Sequence, residues 1–227
     1  MTIGRPFESE PRFPGFHPLD AERHWDDATR VAIRRRMQPP APRFFTGQER
    51  RTAAALLDRL MGQPPGPSGE HVPLVQMLDA RLAHDDTDGW IYDTMPSDRE
   101  AWRRSLAGLE EDAFARHAVS FAAMDESAQC AVIEAVRTCP DERWHDLPPA
   151  PVWSLWTRYA ATAFYSHPAA WAEIGFDGPA YPRGYRNIGI DRREGPEVRD
   201  ARPDLDAPDP SDPGSAPTQG AASEGRG

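Results

Sequence analysis

The sequence predicts an all-α protein, and three observations carry that expectation. Apolar residues recur at helical spacing through the middle of the chain, capping motifs open several of those segments, and no stretch sustains the period-2 alternation of a half-buried strand. The expected architecture is a helical bundle of about five to six helices, with an extended N-terminal arm and an aromatic, Pro- and Gly-rich C-terminal loop. The chain divides accordingly into an arm over 1–43 with one short helix, a helical body over 44–190 that includes the C-terminal loop, and an acidic tail over 191–227.

In the arm, Pro6, Pro11, Pro14 and Pro18 on one side and Pro39, Pro40 and Pro42 on the other exclude regular structure at both ends. Between them, Asp20 to Met37 sets Trp25, Ala28, Val31 and Ala32 at helical spacing, and Arg34, Arg35 and Arg36 close the helix with the charge its C-terminal dipole favours. Phe7, Phe13 and Phe16 make a freely floating arm unfavourable, so it is expected to lie against the acidic body or reach a partner.

The body opens on Thr46-Gly47-Gln48-Glu49, a capping box, followed by Ala53, Leu56, Leu57, Leu60 and Met61 on one helical face; Gly62 and Pro64 stop it. Pro73, tolerated in a first turn, introduces a second face of Leu74, Met77, Leu78 and Leu82. Ser97 with Glu100 forms another capping box, and the helix behind it is expected to bury Trp102, Leu106, Leu109 and Ala113. Asp125 caps the next helix, which runs through Cys130, Ile133 and Val136 and ends at Pro140. From Pro151 onward, Val152, Leu155, Trp156, Tyr159, Ala160, Ala163 and Phe164 form one stripe with Trp153 outside it, which makes this helix the expected centre of the core. Beyond Ile190 the residues are almost devoid of apolar side chains, and disorder is expected there.

Composition narrows the function classes. The 227 residues suit one domain with flexible ends, and 39% hydrophobic residues with 25 unevenly placed Pro leave little for those ends to add to the core. A formal charge of −10 argues against nucleic acid or an anionic membrane surface as partner. The charge is uneven: the arm holds eight Arg against six acids, whereas the tail holds five Arg against nine. Every basic side chain of the Lys/Arg class is Arg, which favours planar, bidentate contacts. Cys130 and Cys139 are too few for a disulfide framework and are expected to be thiols. The first residues show no apolar signal region and no twin-arginine motif, and no stretch approaches the length of a membrane span, so a cytoplasmic location is expected.

Tests for chemistry are mostly negative. When Gly89 of His84-Asp85-Asp86-Thr87-Asp88-Gly89 is set at the sixth position of a calcium loop, His84 and Met95 fall where carboxylates are required, and a solvated acidic loop is the better account. No metal-binding, nucleophile-elbow, Walker or dinucleotide-binding motif is present, and the His residues are scattered. No catalytic, cofactor-binding or metal-binding residue is therefore assigned to this chain. The exception to this plainness is Phe164 to Tyr185, FYSHPAAWAEIGFDGPAYPRGY, where rings and Pro residues accumulate directly behind the core helix. Such a stretch forms either a recognition surface or a wrap that closes the bottom of the core. His167, between Tyr165 and Pro168, is the His whose setting points to a role, whether a structural hydrogen bond or acid–base work.

FPGF (Phe13 to Phe16), HWDDATR (His24 to Arg30), FFTGQE (Phe44 to Glu49), VPLVQMLDARL (Val72 to Leu82), DGWIYDTMP (Asp88 to Pro96) and the C-terminal stretch together resemble the gluconate 2-dehydrogenase subunit 3 family, over about Phe13 to Gly189. The resemblance implies a non-catalytic small subunit that binds, stabilises or matures the FAD-carrying subunit of a sugar or polyol dehydrogenase. That large subunit is a glucose-methanol-choline type oxidoreductase, which supplies the FAD; no cofactor is expected on this chain. The missing twin-arginine leader departs from exported members and favours a cytoplasmic complex. In this picture Tyr165, His167, Trp171, Tyr181, Arg183 and Tyr185 are the candidate partner interface. Two other classes stay open: a self-sufficient binding protein or enzyme with a pocket near His167, and a homo-oligomeric scaffold.

Overall fold

Each capped segment of the body forms a helix in the computed structural model, which describes residues 12–63, 71–90, 92–187, 192, 194, 195 and 197–201. The α-helices of those residues are α1 (Asp27–Met37), α2 (Gly47–Leu60), α3 (Leu74–Ala83), α4 (Asp98–His117), α5 (Glu126–Arg137), α6 (Pro149–Ser166) and α7 (Pro168–Ile174). Two 3-10 segments, Pro18–His24 and Phe121–Ala123, join them, and the described residues contain no strand beyond an isolated bridge between Trp144 and Leu147. The all-α expectation holds. There is one α-helix more than expected, because the C-terminal stretch folds α7 where a continuous loop was predicted.

The helix starts follow the local chemistry. At α2 the Thr46 hydroxyl accepts from the Glu49 N–H at 3.2 Å and the Glu49 carboxylate accepts from the Thr46 N–H at 2.8 Å, a complete capping box. At α4 half of the predicted box forms: Ser97 Oγ accepts from the Glu100 N–H at 3.4 Å, while the Glu100 carboxylate lies 3.6 Å from Arg104 one turn along. Asp125 caps α5 by accepting from the Ala128 N–H at 2.8 Å. Pro73 stands at the N-cap of α3, one step before the first turn in which it was expected.

α6 is the centre of the main core. It packs against α2, α3, α4, α5 and α7, and all seven residues of its predicted stripe are buried. Trp156 donates its indole N–H to Ser105 Oγ at 3.0 Å and meets Trp144 edge to face at 5.7 Å, while Tyr159 meets Trp102 at 5.9 Å. Each such ring stabilises the fold by roughly 1.5–3 kcal/mol through burial, and edge-to-face pairing adds to this. α5 corrects one position: Cys130 is exposed, and Gln129 faces inward instead. Gln129 earns that place by donating to the Phe121 and Met124 carbonyls at 3.1 and 3.2 Å, which serves the Met124 carbonyl and gives a second donor to that of Phe121, already bonded to the Met124 N–H. Both cysteines are free thiols, as expected.

The arm departs further from expectation. A single helix over Asp20 to Met37 is replaced by the 3-10 segment, a break at Trp25, and α1, whose N-cap Asp26 accepts from the Thr29 N–H at 2.8 Å. The break resets the helical phase. Ala21, Trp25 and Ile33 turn inward, while Ala28, Val31 and Ala32 face solvent. The inward residues meet Trp171 and the partly buried Phe176 in a second, smaller core. Trp25 lies edge to face with Trp171 at 6.2 Å. Gly178 permits this approach: its φ is +85°, and a Cβ there would lie 2.5 Å from Trp25 Cζ2.

Further ties hold the arm to the C-terminal segment. Arg36 donates to the Ser166 carbonyl at 3.2 Å, the Ala201 N–H donates to the Arg12 carbonyl at 3.0 Å, and Arg12 pairs with Asp200 at 2.5 Å. Phe7 and most of the segment expected to be disordered, residues 202–227, lie outside the described residues. No helix of the described residues is long and apolar enough to cross a membrane.

Candidate functional site

The C-terminal stretch is built around a shared residue. His167 closes α6 and opens α7 at once, in extended backbone, with its Nδ1 accepting from the Ala169 N–H at 3.2 Å. This is the capping role that Asn or Asp often fills, performed by an imidazole whose Nδ1 must be unprotonated to accept. Only 8% of the residue is exposed, and burial lowers its pKa from the ordinary histidine value. His167 is thus held neutral by the same packing that uses its lone pair.

A pH dependence follows. With a folded-state pKa below the unfolded value of about 6.5, the unfolded chain binds the additional proton. The stabilisation from this group is complete above that value and is lost as pH falls through it. Urea midpoints are expected to drop between pH 7.5 and pH 5, and His167→Asn, which keeps a capping acceptor but does not titrate, is expected to flatten that slope. Asp58 acts with the opposite sign. Burial raises its carboxyl pKa against the lowering influence of His71 and Arg59, so its contribution is greatest at low pH and fades as pH rises through the raised value.

The structure separates the six predicted interface residues into two groups. Trp171 is 1% exposed, donates its indole N–H to the Tyr165 carbonyl at 2.8 Å, and packs on Trp25 and Phe176. Arg183 pairs with the buried Asp177 at 2.5 Å. Trp171, His167 and Arg183 therefore serve the chain's own fold. Tyr165, Tyr181 and Tyr185, by contrast, are 49%, 65% and 54% exposed, and Ile174 at the end of α7 is also open to solvent. Buried rings and an ion pair thus anchor α7 and the turn after it, while Tyr165 at the end of α6, Ile174, Tyr181 and Tyr185 stand exposed along the same stretch of chain.

Three cavities among the described residues are lined by side chains other than His167. One of about 590 Å³ between α2 and α4 is lined by Thr52, Leu106, Glu110 and Phe114, one of about 340 Å³ by Arg43, Phe44, His84, Arg99 and Arg103, and one of about 190 Å³ by arm residues with Asp177. Among the described residues, no cluster of His, Cys, Asp or Glu has the arrangement of a metal site. The acidic loop after α3 turns its carboxylates to cations: Asp88 accepts from Arg81 at 3.0 Å and also from Arg158.

Sequence reasoning passed over a second exposed aromatic pair. Trp90 and Tyr92 meet edge to face at 5.3 Å, with the Arg158 guanidinium 4.5 Å from the Trp90 centroid. Their signal was a Trp placed in an acidic turn with no apolar neighbour at helical spacing. The cluster of Arg residues around Phe44 was also missed, since its members come from separate segments.

A family model described as gluconate 2-dehydrogenase subunit 3 matches residues 47–178. No curated protein and no solved structure matches the chain. The matched span covers α2 to α7 and contains Tyr165, His167 and Trp171; it ends at Gly178, before Tyr181, Arg183 and Tyr185.

Proposed function

The chain belongs to the gluconate 2-dehydrogenase subunit 3 family, and we propose that it is a non-catalytic small subunit that binds and stabilises or matures the FAD-carrying subunit of a sugar or polyol dehydrogenase. The partner in this proposal is a glucose-methanol-choline type oxidoreductase, which holds the flavin and carries out the oxidation. The observation that supports the reading is the exposure of Tyr165, Ile174, Tyr181 and Tyr185 along one segment that its own buried residues anchor. Aromatic side chains on a rigid support lose little conformational entropy on docking, which is why they dominate interface energetics.

Capture of the tagged full-length chain from its native cells tests the proposal, with the eluate scanned for flavin absorbance and its proteins identified by mass. A flavin-containing large subunit in stoichiometric amount supports it. A chain that elutes alone and colourless overturns it. Tyr181→Ala combined with Tyr185→Ala is expected to weaken capture at least tenfold, on the order of one interface hot spot, with the helical circular dichroism unchanged. Undiminished capture by that variant would remove these two rings from the interface.

A further inference from the structure

We propose that the cavity between the segment leading into α2, the end of α3 and the first turns of α4 is a binding site for a small phosphate monoester. This inference is independent of the exposed aromatic segment. The cavity has a volume of about 340 Å³ and is lined by Arg43, Phe44, Ala83, His84, Arg99 and Arg103. That size lies within the range of about 300–1,000 Å³ typical of small-molecule sites. Three guanidinium groups and an imidazole line it, with no carboxylate among them.

The concentration of positive charge runs against the chain's formal charge of −10. Among the described residues, Arg43 and Arg99 form no ion pair, and Arg103 has only Glu49, at 3.8 Å, nearby. Like charges brought together with one carboxylate, at 3.8 Å from Arg103, beside them repel one another, and an anion in the cavity relieves that repulsion.

The cations are also held in position. The Arg103 guanidinium donates to the Phe44 carbonyl at 3.1 Å and stands 4.5 Å from the Phe44 ring centroid; Arg99, one turn earlier on the same helix, stands 5.2 Å from it. The backbone segment that carries Arg43 is fixed from below, because the buried Asp79 carboxylate accepts from the Arg43, Phe44 and Phe45 N–H groups at 2.5, 3.1 and 2.8 Å. Donors therefore enter from three separate segments and meet at one cavity. A lone carboxylate is satisfied by a single planar fork, whereas a tetrahedral dianion presents oxygens in several directions and matches several forks. Phe44 and Ala83 supply an apolar wall, and the volume leaves room for a small organic body attached to the phosphate.

Inorganic phosphate is the probe. Calorimetric titration of the full chain is expected to give saturable binding, with a rise in Tm that sodium chloride at equal ionic strength does not reproduce. Arg43→Gln combined with Arg99→Gln is expected to weaken binding at least tenfold, whereas Arg35→Gln on the exposed face of α1 leaves it unchanged. Side-chain NMR of the unmodified chain provides a readout that does not depend on variants: phosphate is expected to shift the Nε–H signals of Arg43, Arg99 and Arg103 and not that of Arg35. Absence of saturable heat, an equal response to chloride, or shifts spread over all Arg signals would each overturn the proposal.

Discussion

Trp171→Ala is expected to cost about 3–5 kcal/mol of stability, as for a large ring removed from a core that cannot collapse into the space. In a chain of this size that corresponds to a fall in Tm of roughly 6–20 °C. The cost arises in a small core with few members, Ala21, Trp25, Ile33 and Phe176, which have no second layer to close the gap. Trp25 loses its edge-to-face partner, and the Tyr165 carbonyl loses the indole donor. The arm is therefore expected to loosen first. Limited proteolysis of the variant should cut within residues 12–43 before the body, while most of the helical circular dichroism survives. Unchanged stability with lost partner capture would instead identify Trp171 as an anchor and remove it from the second core.

The main core was legible because its signal was local. In α6, seven apolar residues fall on one stripe without a break, and Thr46 and Asp125 announce their helices within four residues. The second core was illegible because its parts lie far apart in the chain. Asp26 is an effective N-cap and breaks the arm's helix, which rotates Ile33 inward and Val31 outward; reading Asp20 to Met37 in a single phase selected the wrong face. Trp171 illustrates a second limit. A Trp among Pro and Gly residues looks the same in sequence whether it faces solvent or another segment of its own chain, and what decides is Trp25, which stands 146 positions earlier and reaches it over Gly178. Tyr181 and Tyr185 are exposed, and among the described residues no ring of the arm pairs with them. For the Arg cavity, no spacing rule applies: Arg43, His84 and Arg99 become neighbours only when α2, α3 and α4 pack.

Asp79→Ala is expected to be comparably damaging, for a reason that hydrophobic patterning hides. Asp79 lies beside Leu78 on α3 and is 1% exposed, a position an apolar residue would ordinarily hold. It is there as an acceptor. Its two oxygens receive the N–H groups of three consecutive residues, Arg43 to Phe45, in the segment that turns the chain from the arm into α2. With the carboxylate removed, N–H groups in a buried setting have no acceptor, at about 1–3 kcal/mol each. Solvent reaches the Arg43 end more readily, so the expected loss is about 3 kcal/mol rather than the full sum. Asp79→Asn should recover little, because its amide sets an NH2 donor against the backbone donors and leaves one oxygen for three of them. Urea midpoints of both variants test this. A loss below about 1 kcal/mol for Asp79→Ala would mean that water replaces the carboxylate, and this segment would need another anchor. A full loss would tie the position of Arg43 and Phe44, and with them one wall of the cationic cavity, to a single buried side chain of α3.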